Sequence, residues 1–325
     1  MTDKAIRIHE NGGPEVMAWE EAAVPTPGPR EAVVRHAAIG VNFIDCYHRT
    51  GLYPVPLPSG LGTEAAGVVE AVGAEVVEVT AGDRVAYAGG PLGAYSRRRV
   101  IPADRLVPLP HDIADVQAAG MMLKGLTVQY LLRRAFPVAA GDTVLIHAAA
   151  GGVGLIACQW AKHLGATVIG TVGSADKAAL ARAHGCDHPI LYRSEDLVSR
   201  VRDLTDGHGV AVVYDSVGAD TFMKSLDCLK PLGMMVSFGQ SSGKVAPFDP
   251  GILAAKGSLF LTRPTLATYT AQRADLMSAA AELFDMVKRG FVRIEVRHTF
   301  PLADAAQAHR ALEARATTGS TVLVP

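Results

Sequence analysis

Cysteine is scarce in this chain. There are four, Cys46, Cys158, Cys186 and Cys228, scattered over 325 residues, and no two form a C-x-x-C pair. That spacing argues against a disulfide scaffold and against a structural four-cysteine zinc site. Sparse thiols suit a reducing cytoplasm. Surplus charge of one sign is lacking as well: Lys and Arg number 31 and Asp and Glu 32, a net charge of −1. A dedicated nucleic-acid binder and a polybasic membrane surface both carry a basic excess, so neither partner is expected. No signal peptide is expected either, because Asp3, Lys4, Arg7 and His9 interrupt any apolar start. The most apolar long stretch, residues 144–161, contains His147, Gln159, Gly151, Gly152 and Gly154. It reads as a buried strand followed by a helix, not as a membrane span.

What is present is core. Hydrophobic residues make up 49% of the chain and charged residues 19%. A chain of this length can bury a large apolar interior, which rules out global disorder and suggests about two domains. The first 124 residues are dense in turns and short strands, with strands expected at 4–8, 32–38, 66–72 and 84–87. Pro25, Pro27, Pro29, Pro54, Pro56 and Pro58 exclude long regular elements there. That texture reads as a partly open β-barrel. The charge triplet Arg97–Arg99 reads as a solvated edge strand.

From residue 143 the pattern alternates strand and helix, the signature of a parallel sheet covered on both faces. Strands are expected at 143–147, 167–172, 210–215, 234–238 and 258–261, and helices at 152–164 and 176–184. A long helix at 271–289, a strand at 292–299, a helix at 303–314 and a strand at 321–324 form a tail too short to be a domain. The tail is expected to rejoin the first domain. The division is therefore 1–124 with 265–325 for the barrel, and 125–264 for the parallel sheet.

The strongest local signal runs from Thr143 to Gly154. Ala149, Gly151 and Gly154 occupy the slots of a G-x-G-x-x-G fingerprint, after a strand and before an apolar helix. Gly151, with Gly152 and Val153, lets backbone approach a pyrophosphate, and Gly154 lets the helix pack closely on the strand. The free amides at the helix start then face the anion. In an NAD site the second strand ends in an acid that holds the ribose hydroxyls. Here it ends in Gly173 and Ser174, with Lys177 following. A hydroxyl and an ammonium suit the extra phosphate of NADPH, which a carboxylate would repel. Taken alone, Ser174 could equally cap a helix, Lys177 could be solvated, and Asp176 is a minor objection.

The segments Gly67-Val-Val-Glu-Ala-Val-Gly73 and Gly82-Asp-Arg-Val85 resemble the first-domain signature of the medium-chain dehydrogenase/reductase superfamily. Within it, Asn42-Phe-Ile-Asp45 leading to Arg49-x-Gly51-Leu-Tyr-Pro54, Leu123-Lys-Gly-Leu-Thr127, and Gly141 through Gly154 to Gln159 resemble quinone oxidoreductases of the zeta-crystallin type. The resemblance spans essentially the whole chain. It implies an α/β fold: a Rossmann doubly wound parallel sheet plus a GroES-like, partly open β-barrel catalytic domain. It also places the catalytic zinc ligands of the superfamily's alcohol-dehydrogenase branch at Asn42, Thr63 and Lys124, none of which is a thiolate or imidazole donor. Cys46 and His48 nearby do not restore a three-ligand site. A zinc-independent NADPH:quinone reductase is therefore expected, with the acceptor in an interdomain cleft.

The resemblance points to Asn42, Tyr47 and Tyr53 beside the nicotinamide, where an amide and two phenols can donate to the acceptor oxygen. They are poor general bases at neutral pH, which favours reduction of a quinone or enone over alcohol oxidation. Read as residues alone, Asn42 could be a turn residue and the two tyrosines packing. The resemblance further assigns cofactor contacts to Asn42, Thr127, Tyr192, Ser216, Phe238, Gly239, Ser241, Arg263 and Arg315, besides the glycine loop and Gly173, Ser174 and Lys177. A reductase of enone or alkenal double bonds is the rival reading. A cofactor-regulated RNA-binding or structural protein is the reading from another class, weakened by the near-zero net charge. A cytoplasmic homodimer is expected, with sheet continuation near 258–261.

Overall fold

The computed structural model describes residues 2–24 and 26–325. The break expected at Pro25 lies outside the described residues. The amino-terminal part runs β1 (Thr2–Ile8), β2 (Met17–Ala23), β3 (Glu31–Val41), α1 (Phe43–Arg49), β4 (Ser59–Gly60), β5 (Glu64–Val72), β6 (Arg84–Ala88), β7 (Arg98–Pro102) and β8 (Val107–Pro108). Helices α2 (Asp115–Ala119) and α3 (Met122–Tyr130) follow. Then come β9 (Thr143–Ile146), α4 (Gly152–His163), β10 (Thr167–Val172), α5 (Ala175–Ala183), β11 (His188–Leu191), α6 (Leu197–Leu204), β12 (Val210–Asp215), α7 (Phe222–Cys228), β13 (Leu229–Ser237), α8 (Gly251–Ala255) and β14 (Phe260–Thr262). The chain closes with α9 (Leu266–Tyr269), α10 (Arg273–Lys288), β15 (Val296–Pro301), α11 (Ala305–Glu313) and β16 (Ser320–Val324).

These elements fall into two compact units. The first comprises Met1–Leu126, Tyr269–Lys288 and Ile294–Pro325, and the second Thr127–Thr268 and Arg289–Arg293. In the first unit a sheet runs in the order β15-β16-β3-β5-β6-β8, with β7 also on β3, and β2-β1-β4 form a small second sheet. Among the described residues the end strands β15 and β8 do not pair, so the sheet is a partly open barrel. Its core gathers Ile6, Val34, Ile39, Leu61, Tyr87 and Ile101, with Leu302 and Leu323 of the returning tail. The tail is held by strand pairing, Val322 opposite Gly40 and Leu323 opposite Ile39.

The second unit is a parallel sheet in the order β11-β10-β9-β12-β13-β14. Numbered from its own first strand that order is 3-2-1-4-5-6, the doubly wound Rossmann arrangement, whose switch point lies between β9 and β12. Leu145, Ile169, Ile190, Val213 and Met235 line its core. Continuous apolar runs such as residues 210–214, buried throughout, are what a strand covered on both faces requires.

Three expectations need correction. The Arg97–Arg99 triplet is a solvated edge only in part, since among the described residues β7 pairs with β3 alone but Arg99 is buried. Arg97 is exposed, but β7 pairs with β3, placing Arg99 opposite Val34, and alternation turns Arg99 inward. Its guanidinium lies over the Tyr87 ring at 5.5 Å and donates to the Pro91 carbonyl at 2.9 Å. The strand expected from residue 292 begins only at Val296. The residues before it are claimed by the second unit: Gln159 of α4 donates to the Arg293 carbonyl at 3.0 Å and accepts its N–H at 2.9 Å, and Phe291 stacks on His163 at 3.9 Å. The tail therefore does not rejoin the barrel in one piece, because Arg289–Arg293 stays with the Rossmann unit.

Candidate active site

In the second unit the glycine loop leaves β9 at the switch point. Gly151 is the N-cap of α4 and brings no capping side chain. The first amides of a helix have no intrahelical acceptor, so those of Gly152 and Val153 are available to an anion. Gly154 is required sterically: a Cβ there would stand 2.3 Å from the Ala148 carbonyl oxygen. The left-handed residue of the turn is Ala148, at φ 53°, one position before the first fingerprint slot. Ala149 itself is buried against Gly170.

Gly173, Ser174, Lys177 and Tyr192 come together at the carboxyl ends of β10 and β11. A Cβ on Gly173 would approach the Tyr192 hydroxyl at 3.1 Å, so the phenol lies over bare backbone. Ser174 caps α5, accepting the Lys177 N–H at 3.4 Å, while Asp176 lies exposed in the first turn. Ser216, Phe238, Gly239 and Ser241 form a neighbouring group at the ends of β12 and β13. The Phe238 N–H donates to the Asp215 carbonyl at 2.8 Å and the Ser241 N–H to the Ser216 carbonyl at 3.2 Å. Arg263 is exposed just past β14, and Thr127 is buried on α3. Arg315 belongs to the first unit, exposed after α11 with φ 56°.

A buried lock ties three of these strand ends together. His147, between β9 and the glycine loop, bonds Thr171 of β10 at 2.9 Å and Ser225 of α7 at 3.0 Å. Ser225 and Thr221 donate to Asp215 Oδ2, and Asp215 Oδ1 accepts the N–H groups of Val217 and Gly218. Burial holds His147 below the usual imidazole range, against the pull of Asp215. A neutral ring offers one donor and one acceptor, which suits two hydroxyl partners.

In the first unit α1 presents Asn42 at its N-cap, then Tyr47, with Tyr53 just beyond. The Tyr47 and Tyr53 rings meet edge-on at 5.2 Å. Asn42 donates its amide to Glu64 at 2.8 Å, and Asp45 closes a capping box by accepting the Asn42 N–H at 2.8 Å. Glu64 is fully buried and also receives the Lys124 ammonium at 3.1 Å. Two hydrogen-bonding atoms beside this group, Thr63 Oγ1 and His48 Nδ1, are buried with no protein partner.

A directional chain holds the start of α1. Arg49 pairs with Glu313 at 2.6 Å and donates to His309 Nδ1 at 3.0 Å. Burial, with Arg49 beside it, pushes His309 down to about 3, so the ring is neutral and its proton resides on Nε2. Nε2 donates to Tyr95 Oη at 3.0 Å, and Tyr95 donates to Asp45 Oδ2 at 2.9 Å. Burial raises Asp45 to about 7, opposed by these donors and by Lys124, while Glu64 adds to the rise. Sequence reasoning missed Glu64, Asp45, His309 and His147. The available signal was polar residues inside apolar runs, as Glu64 is at the head of Glu64–Val72.

The positions that resemblance assigns to zinc ligands hold an amide, a hydroxyl and an ammonium. The ammonium is committed to a carboxylate, and this donor set does not fit zinc. Among the described residues no group of three or more His, Cys, Asp or Glu side chains could hold a metal ion. The dinucleotide fits better: the cradle offers helix-start amides, bare glycine backbone under a phenol, and no acid at the tip of β10.

An open barrel joined in sequence to a Rossmann unit with such a cradle defines a dinucleotide-dependent oxidoreductase. Residues 28–111 match the family described as alcohol dehydrogenase GroES-like domain, and residues 152–283 the family described as zinc-binding dehydrogenase. A quinone oxidoreductase of Pseudomonas aeruginosa is 56% identical, with 99% of each chain covered. A 2-haloacrylate reductase of a Burkholderia species is 50% identical, with 99% of this chain and 98% of that one covered. The crystal structure of Escherichia coli quinone oxidoreductase complexed with NADPH superposes with a TM-score of 0.98 at 53% identity, covering 99% of this chain and 100% of that one. The chain belongs to the zeta-crystallin-like quinone oxidoreductases of the medium-chain dehydrogenase/reductase superfamily.

Proposed function

We propose that this chain is an NADPH-dependent quinone reductase that works without a metal. The observation that carries the reading is the acid-free tip of β10, where Ser174, Lys177 and Tyr192 surround Gly173, in a chain 53% identical to an enzyme solved with NADPH. Bound NADPH supplies the reducing equivalents as a hydride. The chain supplies binding and orientation. The α4 amides and Gly151 receive the pyrophosphate, and Lys177 with Ser174 the extra phosphate. Ser216, Phe238, Gly239, Ser241, Thr127, Arg263 and Arg315 complete the cofactor contacts. Asn42, Tyr47 and Tyr53 donate to the acceptor oxygen as negative charge develops on it.

Electron-poor alkenes are the second acceptor class, favoured by the relative named for 2-haloacrylate. The enzyme acts in the cytoplasm, consistent with four buried free cysteines. It acts as a homodimer joined at the β14 edge, where Phe260 is 56% exposed.

The test is loss of NADPH absorbance with a panel of simple quinones, in the parent and in Lys177→Ala. Turnover above the cofactor-only control is expected. The variant should lose roughly tenfold or more in NADPH affinity, the worth of a charge-assisted contact, with little change for NADH. Equal loss for both cofactors would remove the phosphate assignment.

A further inference from the structure

Glu64 and Lys124 have no part in the reading above, yet a buried ion pair persists only when its geometry repays the desolvation. Glu64 opens β5 and is fully buried, and Lys124 on α3 is nearly so. Three N–H donors converge on the one carboxylate. The Leu123 backbone donates to Oε1 at 2.7 Å, the Asn42 amide to Oε2 at 2.8 Å and the Lys124 ammonium to Oε2 at 3.1 Å. A carboxylate so occupied accepts the amide nitrogen of Asn42 and has no place for its oxygen. On the other side Asp45 accepts the Asn42 backbone N–H at 2.8 Å and gives its own N–H to the Asn42 backbone carbonyl at 3.0 Å, which fixes the backbone that carries the amide. The amide is therefore turned one way. Its nitrogen carries two hydrogens. One is committed to Glu64, and the other is the donor the side chain can offer to a ligand.

We propose that Glu64 and Lys124 are positioning residues, holding the Asn42 amide so that its second N–H meets the carbonyl-type oxygen of the acceptor. This rests on the donor role given to Asn42 above. Lys124 acts through Glu64, as the counter-charge that a fully buried carboxylate needs beside a second acid, Asp45. A donor oriented in advance needs no reorganisation as charge develops on the acceptor. The position where relatives of another branch bind a metal thus holds a cation of the chain's own, used to orient an amide.

The test is a double-mutant cycle on the full chain, reading NADPH oxidation by 1,4-benzoquinone. Lys124→Met alone strands a buried carboxylate and can unfold the chain. The paired variant Glu64→Gln/Lys124→Met is therefore used, with Glu64→Gln as a second route. Gln offers both a donor and an acceptor, so the Asn42 amide is no longer held one way. The paired variant should melt close to the parent and keep KM for NADPH within about threefold, while kcat falls roughly tenfold or more. Asn42→Ala should lose as much, and the triple variant should lose at most about twofold beyond it, because both changes remove one donor.

A lowered melting temperature with parental kcat would make the pair merely structural and overturn the inference. Losses that multiply in the triple variant would overturn it too, since the pair would then act by another route. Parental kcat in Asn42→Ala would instead remove the donor role of Asn42, and the positioning role with it. Parental kcat in the paired variant beside a slow Asn42→Ala would leave the donor role standing alone.

Discussion

At the scale of single residues, the informative groups are the buried titratable side chains. Asp45 is the clearest. Folded, it binds its proton up to about 7, against 3.8 unfolded, because burial outweighs its donors. The folded state therefore holds more protons between those values. The stability Asp45 contributes is complete below 3.8 and is lost as pH rises through about 7. Buried His36, which lies on β3 with its ring bonded to the Ser96 carbonyl at 2.7 Å and the Tyr87 hydroxyl at 2.9 Å, and buried His309 act in the opposite sense. Burial lowers them from 6.5 to about 4 and about 3, so their contribution is complete above 6.5 and is lost as pH falls. Asp45→Asn keeps an acceptor for Tyr95 and for the Asn42 N–H but removes the titration. Its stability relative to the parent should improve by at least ~1 kcal/mol between about pH 5 and about pH 8, measured by urea unfolding. A difference independent of pH would show that Asp45 is ionised throughout.

At the scale of elements, the turn from β9 into α4 does two jobs with one residue. Gly154 lets the helix approach backbone and so aims the helix start at the phosphate position. A methyl group at Gly154, 2.3 Å from a carbonyl oxygen, must push the helix away. Gly154→Ala should cost roughly 1–3 kcal/mol of stability, the usual penalty of overpacking. It should also weaken NADPH binding, since the amides move with the helix. Calorimetry and NADPH titration check both, and an unchanged affinity would separate the packing role from the binding role.

Most of the alternation of strand and helix from β9 onward was legible in the chain because apolar periodicity is a local property, but β11, α6 and α8 were not expected. The short helices α1, α2 and α7 were not legible. Each draws its stability from tertiary partners rather than from its own pattern, as α1 does from Arg49, His309 and Tyr95.

At the scale of the whole molecule, the proposal concerns the edge of the Rossmann sheet. Strand β14 pairs on one side only, with β13, and shows Phe260 and Leu261 to solvent. An unpaired apolar edge is a template for another strand, here a second copy. Phe260→Asp should shift the chain from dimer to monomer in sedimentation. A parent that sediments as a monomer would contradict the proposed assembly.

The fold class, the glycine loop and the acid-free end of β10 followed from the sequence alone, because each depends on residues close together in the chain. The missing zinc donors at Asn42, Thr63 and Lys124 were also visible there, though only as missing donors. Tertiary structure alone decided what fills their place. Glu64 and Lys124 are separated by 59 residues and Arg49 and His309 by 259, so no local pattern joins them. They meet because strand pairing returns the tail to the barrel and because α3 carries its ammonium to the head of β5. Long-range contacts of this kind have no period to read. What sequence shows as scarcity, four cysteines and no thiolate or imidazole at Asn42, Thr63 and Lys124, the folded chain turns into a buried ion pair beside the Asn42 amide.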